Sequence, residues 1–465
     1  MTMARPIRLV FRALAAVLLL LLAAAGATSL RVGGPPVVSL RPGLPAVGRR
    51  TPVVLSAAAP GRGLVRLRLE LEQAGRVHVL AERRYRPLPP WALAGERTET
   101  DEIRLEVGAA TTPGLKEGEA VLRAVADRAG TWLLRPAPVT VEVRLPVRLR
   151  PPALSLLSSQ HYVAQGGAGV VVYRVGPTSV RDGVQAGEWF FPGAALPGGR
   201  PSDRFALFGV PWTLSSGARV RLVASDEVDN RSELAFVDRF FPHPPARDRI
   251  ALEDTFLERV VPEILRQTPE LADRGSLLAN YLEVNRDLRR RNAEELAALA
   301  PRSVPRFLWR ETFLPLRGAK VMSSFADRRS YLYQGREVDE QTHLGFDLAS
   351  VARTPVPAAN RGVVLLARYF GIYGNAVVLD HGYGLMSLYA HLSEISVAEG
   401  QEVERAAILG TTGKTGLAGG DHLHFTTLVG GLPVNPKEWW DPKWVRDRVT
   451  SKLGTTLAAE ATGGG

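Results

Sequence analysis

Residues 422–428, His-Leu-His-Phe-Thr-Thr-Leu, predict the architecture of the C-terminal part of the chain. Side chains two positions apart point to the same face of a β-strand. His422 and His424 therefore share one face, whereas Leu423 and Phe425 face a core. The pattern indicates a strand that carries two imidazoles on one side and is buried on the other.

A second segment carries a histidine and an aspartate four positions apart, in His343-Leu-Gly-Phe-Asp347. Its glycine and its lack of a capped helical pattern favour an extended conformation. In such a segment His343 and Asp347 point the same way, and Gly345 leaves room between them. Five of the eight histidines lie between residues 343 and 424, so we expect them to form a common site.

The residue types in this window predict metal-dependent hydrolysis. His391 closes a further predicted strand, residues 385–391. Two imidazoles and one carboxylate are a recurrent catalytic zinc set, which leaves a fourth position for water. Zinc lowers the pKa of that water to about 7 and polarises a scissile carbonyl. Two further histidines then remain for proton transfer and oxyanion stabilisation, work that suits imidazole at neutral pH.

Taken together, these segments resemble the lysostaphin-type zinc metallopeptidases over about residues 315–442. The motifs that carry the resemblance are His343-x-x-x-Asp347, Tyr389-Ala-His391-Leu392, Gly410-Thr-Thr-Gly-Lys-Thr-Gly, Gly420-Asp421 and His422-x-His424. The resemblance implies a small antiparallel β-fold with a groove for an extended peptide. It also implies hydrolysis of the peptide cross-links of bacterial peptidoglycan.

The resemblance assigns a role to each of five residues by position. Its implied zinc ligands are His343, Asp347 and His424. His391 and His422 would be the catalytic pair that activates water and stabilises the tetrahedral intermediate. No other cofactor is expected.

The chain departs from the family pattern in two places. Fourteen residues, 329–342, separate the strand before them from His343 and predict a local flap over the groove. Thr426 stands where the family often has a glutamate, which predicts altered support for the ligands. His381 matches a strand and turn of the fold and is predicted to be structural, and Asp421 is predicted to be an exposed loop carboxylate.

The N-terminal residues 1–30 form a predicted export segment. Three arginines precede an apolar run over residues 13–27, and Ala25-Gly-Ala27 fits a cleavage site. Uncharged sequence continues to Leu30, which is close to the roughly 18-residue minimum for a membrane span. Signal peptide and uncleaved membrane anchor both remain open. Either one places the bulk of the chain outside the cytoplasm, in a periplasm or anchored to the inner membrane.

The overall composition excludes several other chemistries. The chain has 465 residues, enough for several domains, and contains no cysteine. Disulfides, thiolate metal sites and cysteine nucleophiles are therefore excluded. The net charge of +11 comes from basic residues spread along the chain, so no nucleic-acid partner is predicted.

The remaining sequence predicts a mostly β protein with one helical interruption. Alternating segments such as 65–71 and 139–143 indicate two immunoglobulin-like β-sandwiches. Helical spacing, with Ser276 as an N-cap, predicts a structural linker, and a lid over the site is the alternative. The predicted domains are 1–30 signal peptide or membrane anchor, 35–148 first immunoglobulin-like sandwich, 151–242 second sandwich, 250–299 helical linker, 306–445 zinc metallopeptidase and 446–465 flexible tail.

Two non-enzymatic hypotheses stand beside catalysis. Some relatives of the resembled family have lost metal ligands and serve as envelope scaffolds or activators of cell-wall amidases, whereas every ligand position is filled here. An adhesin built on the sandwiches, with Trp189-Phe-Phe191 on its surface, is the other hypothesis, and core packing of these aromatic residues is favoured over it. We therefore expect peptidoglycan peptides as substrate, D-alanyl–diaminopimelate cross-links ahead of glycine-rich bridges. An envelope regulatory protein is a further expected partner.

Overall fold

The computed structural model describes residues 4–244 and 246–454, which divide into two compact units. The first unit comprises the chain up to residue 151 together with residues 225–231. The second comprises residues 152–224 and the chain from residue 232 onward. Strand accounts for 40% of the residues and helix for 19%, so the predicted mostly β class is confirmed.

The first unit consists of a long apolar helix and two antiparallel sheets. Helix α1 spans Ala4–Leu30, and its segment Leu9–Leu30 is long and apolar enough to cross a membrane. The strands are β1 (Val37–Pro42), β2 (Thr51–Ala58), β3 (Arg66–Gln73), β4 (Arg76–Arg84), β5 (Thr100–Val107), β6 (Gly118–Asp127) and β7 (Val139–Val147). One sheet has the order β1-β2-β5 and the other β4-β3-β6-β7.

Alternation along the strands builds the core of this unit. Leu67, Leu69 and Leu71 of β3 are fully buried, as the alternation of residues 65–71 predicts. They join Leu55 of β2 and Ile103 of β5 in one apolar cluster. Residues from both sheets meet in that cluster, so the two sheets share a core.

The second unit begins with another group of short strands. These strands are β8 (Leu154–Leu156), β9 (Tyr162–Ala164), β10 (Ala168–Val175), β11 (Arg181–Ala186), β12 (Trp189–Pro192), β13 (Ala194–Ala195), β14 (Asp203–Gly209), β15 (Val220–Ser225), β16 (Arg231–Ala235) and β17 (Arg239–Phe241). They form sheets of order β13-β14-β10-β8 and β12-β11-β15-β16, while β17 pairs with β9 in parallel.

The segment predicted as a helical linker begins with a strand. Residues from Ile250 were expected to be helical, but β18 (Arg247–Leu252) pairs in parallel with a later strand. The helices are α2 (Asp254–Gln267), α3 (Leu277–Glu283) and α4 (Arg289–Ala298), the last two joined by a π-helical turn. Ser276 caps α3 as predicted. Helix α2 runs through Pro262, a residue that disfavours the interior of a helix, because its apolar face is buried on both sides of the proline.

An eight-stranded antiparallel sheet forms the centre of the C-terminal region. Its strands are β19 (Lys320–Ser323), β22 (Phe346–Ala349), β24 (Gly362–Tyr369), β25 (Asn375–Asp380), β26 (Leu385–Leu392), β28 (Glu402–Val403), β30 (Leu423–Val429) and β31 (Leu432–Val434). Its order is β19-β22-β30-β26-β25-β24-β28, with β31 added to β30. The remaining strands are β20 (Asp327–Tyr333), β21 (Arg336–His343), β23 (Pro355–Pro357), β27 (Glu394–Ile395) and β29 (Ile408–Thr411).

Three short helices follow the sheet: α5 (Pro436–Trp440), α6 (Pro442–Val445) and α7 (Ser451–Leu453). Residues 446–454 were predicted to belong to a flexible tail, but residues 446–453 are helical, because Val449 and Leu453 are buried in the core. The rest of the predicted tail, residues 455–465, lies outside the described residues.

One apolar core runs through most of the second unit. Phe205 of β14 packs against Phe307 and Tyr383, and Leu432 of β31 lies against Gly209. These residues and their neighbours belong to a single cluster that extends to Leu453. The strands before the helices and the large sheet after them are therefore stabilised together.

Candidate metal centre

Strand pairing brings the three predicted ligands to one place. His343 is the last residue of β21, Asp347 lies in β22, and His424 lies in β30. The antiparallel register of β22 and β30 sets Asp347 directly opposite His424. Side chains of directly opposed residues lie on the same face of a sheet, so the carboxylate and the imidazole meet there.

The donor atoms of these residues form a compact triangle. His343 Nε2 lies 3.0 Å from Asp347 Oδ1 and 3.0 Å from His424 Nδ1. His424 Nδ1 lies 3.0 Å from the same carboxylate oxygen. A group of this kind could hold a metal ion.

The hydrogen bonds behind the rings turn their lone pairs toward this triangle. His343 Nδ1 lies 3.0 Å from the carbonyl oxygen of Ser324, to which it donates. The Thr426 hydroxyl donates to the carbonyl oxygen of Leu344 at 2.9 Å, so its oxygen accepts from His424 Nε2 at 3.0 Å. In its neutral form, each ring therefore presents a lone pair at the nitrogen that faces Asp347. Two imidazole lone pairs and a carboxylate oxygen fit a divalent cation such as zinc.

Gly345 is required by the packing of this centre. A Cβ atom at this position would lie 2.6 Å from the His424 ring and 2.6 Å from Thr426 Oγ1. The sequence pattern predicts that the glycine leaves room between His343 and Asp347. The structure shows that His424 and its supporting threonine fill that room.

Asp347 is held from both sides. Its Oδ1 faces the imidazoles, and its Oδ2 accepts a hydrogen bond from Arg329 Nη2 at 2.7 Å. Burial by itself would raise the pKa of the carboxyl. The neighbouring His343, His422 and His424 outweigh burial and hold the pKa of Asp347 well below its usual range.

The two predicted catalytic histidines lie next to the triangle. The ring centroids of His391 and His422 are 4.9 Å apart, and His422 Nε2 lies 3.5 Å from Asp347 Oδ1. His391 Nδ1 donates to the carbonyl of Thr415 at 2.9 Å, and His422 Nδ1 donates to that of Gly420 at 2.9 Å. Each ring therefore keeps Nε2 for proton exchange.

The surroundings push the pKa values of this pair in opposite directions. Burial, followed by the charges of His422 and His424, lowers the pKa of His391 well below its usual value. Burial also opposes protonation of His422, but the hydrogen bond and charge of Asp347 raise its pKa overall. His391, which favours its neutral form, is suited to act as a base. His422, which favours its charged form, is suited to act as a cationic hydrogen-bond donor.

Two other polar residues singled out in the sequence lie apart from the triangle. His381 is fully buried, with Nδ1 2.7 Å from the carbonyl of Arg361 and Nε2 2.7 Å from Ser387 Oγ. Asp421 accepts a hydrogen bond from the backbone of Arg353 at 3.3 Å. The burial and bonding of His381 agree with its predicted structural role. Asp421 lies in a loop as predicted, but it is only partly exposed, and its Oδ1 is buried without a hydrogen-bond partner among the described residues.

Three polar residues that the sequence motifs do not include also line the site. Arg289, Arg329 and Tyr373 join the five predicted residues around a cavity of about 100 Å³. Arg329 lies at the start of the predicted flap, which is the one signal that pointed to it. Arg289 comes from α4 and Tyr373 from the turn Gly371–Tyr373, and neither stands at a spacing that marks a site.

The helices of the predicted linker lie against the walls of this cavity. In α2, Arg259 Nη2 donates to the carbonyls of Ala418 at 2.7 Å and of Gly419 at 3.3 Å. On the other side, Tyr333 of β20 donates to Asp254 Oδ1 at 2.8 Å. The helical segment therefore contacts both the loop before β30 and the hairpin formed by β20 and β21.

A larger cavity of about 420 Å³ reaches the same imidazoles from another direction. Trp189, Trp212 and Tyr373 line it together with His343 and His424. Aromatic walls next to polar donor atoms are typical of ligand pockets.

Comparisons with known proteins agree with this geometry. Residues 341–436 match the family model Peptidase family M23. The chain is 33% identical over 169 residues to the peptidoglycan DD-endopeptidase ShyA of Vibrio cholerae serotype O1, a match that covers 36% of each chain. It is 45% identical over 94 residues to the DD-carboxypeptidase/endopeptidase Mpg of Neisseria meningitidis serogroup B, covering 20% of this chain and 22% of that protein.

These matches are confined to part of each protein. The chain spans about a third of the length of the first relative and about a fifth of the second. Among solved structures, the catalytic domain of lysostaphin from Staphylococcus simulans is 25% identical, with 26% of this chain and 92% of that chain covered and a TM-score of 0.23. All five predicted site residues fall within 341–436, and these residues form a Peptidase family M23 domain.

Proposed function

We propose that this chain is an exported, zinc-dependent endopeptidase that hydrolyses peptide cross-links of bacterial peptidoglycan. The supporting observation is the convergence of His343, Asp347 and His424 on one point, inside a Peptidase family M23 domain. Relatives of that domain include proteins named peptidoglycan DD-endopeptidases.

Three side chains would hold the metal, and others would support it. His343 Nε2, His424 Nδ1 and Asp347 Oδ1 would be the ligand atoms, because these three atoms face one another. Zinc, when bound, supplies Lewis acidity and an activated water. Arg329 occupies Oδ2 of Asp347, which leaves Oδ1 to bind the metal. Thr426 orients the ring of His424.

The remaining two histidines would carry the proton transfers. His391 accepts a proton at Nε2 from the attacking water and later delivers it to the leaving amine. Its Nδ1–H is held by the carbonyl of Thr415, which fixes the ring for this work. His422, in its charged form, donates a hydrogen bond from Nε2 to the oxyanion that develops on the scissile carbonyl.

The complete donor set favours catalysis over a scaffold role. A scaffold or amidase activator needs no cation site. Here the two ligand rings have individual hydrogen-bond partners, Ser324 and Thr426, which orient them toward Asp347. Such supporting bonds are typical of sites that bind metal.

We infer that the bond cut joins two D-configured centres, as in a D-alanyl–diaminopimelate cross-link. The names of the relatives from Vibrio cholerae and Neisseria meningitidis support this choice over glycine-rich bridges. We further propose that the two-sheet arrangements at 35–148 and 151–242 are immunoglobulin-like modules. They would hold the peptidase domain, 306–445, outside the cytoplasm, where the substrate lies.

The direct test is mass spectrometry of fragments released from purified peptidoglycan by the full chain. We expect cross-linked dimers to be converted to monomers when zinc is present, and a chelator to abolish the conversion. The matched control is His343→Ala, which lacks one ligand. Intact cross-links after incubation with the zinc-loaded chain would contradict the proposal. The masses of the released products identify which peptide bond is hydrolysed.

A further inference from the structure

We propose that two loops of the first unit rest on the phospholipid surface at the outer end of α1. The loops are residues 89–95 and 131–134. Their tips carry four apolar side chains that we call the juxtamembrane patch, namely Trp91, Leu93, Trp132 and Leu133. The partner is the headgroup region of the bilayer that α1 crosses.

The patch is exposed to an extent that is unusual for such large side chains. Trp91 is 74% exposed, Leu93 87%, Trp132 77% and Leu133 57%. In the part of the chain that the structure describes, none of them belongs to the apolar core of the unit. Single exposed apolar residues are common, but a group of them with two tryptophans marks an interaction surface.

The conformation of the turn does not explain why Trp132 and Leu133 stand at the tip of the second loop. The backbone N–H of Thr131 donates to the carbonyl of Leu134 at 2.8 Å, and the N–H of Leu134 donates to Thr131 Oγ1 at 3.0 Å. Trp132 and Leu133 occupy the two central positions of this turn. Glycine, proline, asparagine, aspartate and serine are the residues that favour such positions. A tryptophan and a leucine there indicate a contact outside the chain.

The same turn is bonded to the end of α1. Thr131 Oγ1 donates to the carbonyl of Ser29 at 2.7 Å, and the N–H of Gly33 donates to the carbonyl of Ala129 at 2.7 Å. Ser29 is buried, whereas Leu30 beside it is 66% exposed. The turn therefore lies where the apolar helix meets the folded unit.

The first loop is bonded to the same place through one arginine. Arg31 Nη1 donates to the carbonyls of Pro90 at 3.2 Å and Ala92 at 2.7 Å. These two residues flank Trp91, and Leu93 follows directly. Both loops are thus attached within four residues of the last residue of the helix, at Ser29, Arg31 and Gly33.

The chemistry of the region matches a bilayer surface. Tryptophan is enriched where transmembrane segments meet the headgroups, because its ring is apolar and its N–H is polar. The residues around the patch, 28–33, 86–97 and 128–136, contain five arginines and one glutamate. This positive excess complements anionic phospholipid headgroups. Helix α1 spans Ala4–Leu30 and includes the predicted cleavage site at residues 25–27, so the proposal applies to the chain that retains this helix.

The test uses the full chain in vesicles of phosphatidylethanolamine and phosphatidylglycerol. Because the chain has no cysteine, Leu93→Cys and Trp132→Cys each accept one environment-sensitive fluorophore. We expect lipids that carry a nitroxide near the headgroup to quench both labels. We also expect the emission of both labels to lie at shorter wavelength than that of a label in water.

The matched controls are Val79→Cys in β4 and Val180→Cys, at residues that are 51% and 65% exposed in the folded chain. Labels there should stay unquenched by the lipid and accessible to a soluble quencher. If the labels at positions 93 and 132 behave like the controls, the proposal is wrong and the patch has another partner. Loss of α1 from the membrane-bound chain, detected by its intact mass, would overturn it as well.

Discussion

The hydroxyl of Thr426 lies behind the candidate metal centre, at the position where the resemblance implies a glutamate. It accepts from His424 Nε2 and donates to the carbonyl of Leu344, so a single oxygen connects the ligand ring to the backbone. The neighbouring Thr427 is also fully buried, but its hydroxyl has no hydrogen-bond partner among residues 4–244 and 246–454. The two adjacent threonines therefore form a natural pair for comparison.

We predict that Thr426→Val lowers zinc affinity by about 10- to 100-fold, the usual effect of removing a hydrogen bond behind a metal ligand. The valine leaves His424 Nε2 buried without an acceptor and frees the ring to turn. Competition with a chromophoric chelator measures the affinity. Thr427→Val should leave it unchanged, because that hydroxyl supports no ligand. Equal affinities for the two variants would contradict the role given to Thr426.

A second prediction separates the ligands from the proton-transfer pair. His391→Ala should keep its zinc but lose about 10²- to 10⁴-fold in the rate of peptidoglycan hydrolysis, because it removes an acid–base group and no ligand. His343→Ala should lose both metal and activity. Metal content by atomic emission and release of wall peptides measure the two properties. A normal hydrolysis rate in His391→Ala would show that its assigned role is wrong.

At the scale of elements, helix α2 limits the space around the metal centre. The cavity that all five site residues line has a volume of about 100 Å³, whereas the cavity of about 420 Å³ reaches His343 and His424 but not the other three. Arg259 of α2 bonds the loop at Ala418 and Gly419 that forms one wall. The sequence left open whether this helical segment is a linker or a lid over the site. The contacts of Arg259 with the loop allow the lid hypothesis to be tested.

We predict that Arg259→Ala raises the initial rate of peptidoglycan hydrolysis, because the loop before β30 can then move away from α2 more easily. Release of soluble wall fragments gives the rate, and hydrogen exchange of the loop reports its freedom. Arg290→Ala is the control, since Arg290 pairs with Asp287 and Glu294 of its own helical segment. A rate that falls or stays constant in Arg259→Ala would show that this contact does not restrain access.

At the scale of the whole second unit, Glu438 connects a segment near the end of the chain with a strand near the start of the unit. This residue of α5 accepts a hydrogen bond at 2.8 Å from the backbone N–H of Ala168, the first residue of β10. Burial raises the pKa of its carboxyl to about 8, from an ordinary value of 4.5. The carboxyl is therefore protonated in the folded chain at pH values where it is ionised in the unfolded chain.

The sign of the pH dependence follows from this raised pKa. The stability contributed by the protonated carboxyl is fully present below about pH 4.5 and is lost as pH rises through about 8. We predict that the melting temperature of Glu438→Gln falls less than that of the unmodified chain between about pH 5 and about pH 9. The exposed Glu404→Gln serves as control. Identical pH profiles for the unmodified chain and Glu438→Gln would contradict the prediction.

The sequence alone determined the local features of this protein, because they depend on neighbours along the chain. The two-residue spacing of His422 and His424 placed both on one strand face, and alternation predicted β3 and β7. The four-residue spacing of His343 and Asp347, together with the resemblance, named the residues that now lie 3.0 Å apart. The capping of α3 by Ser276 was visible for the same reason.

Only the tertiary structure decided which distant segments meet. Three hydrogen bonds between distant residues have no signal in the periodicity of the sequence, because each one joins separate elements that pack together. They connect Arg329 with Asp347, Tyr333 with Asp254, and Ala168 with Glu438. Helix α2 passes through Pro262 because burial of its apolar face outweighs a local preference. Local preferences act between near neighbours, whereas burial sums over the whole unit, and for that reason these contacts could not be derived from the sequence.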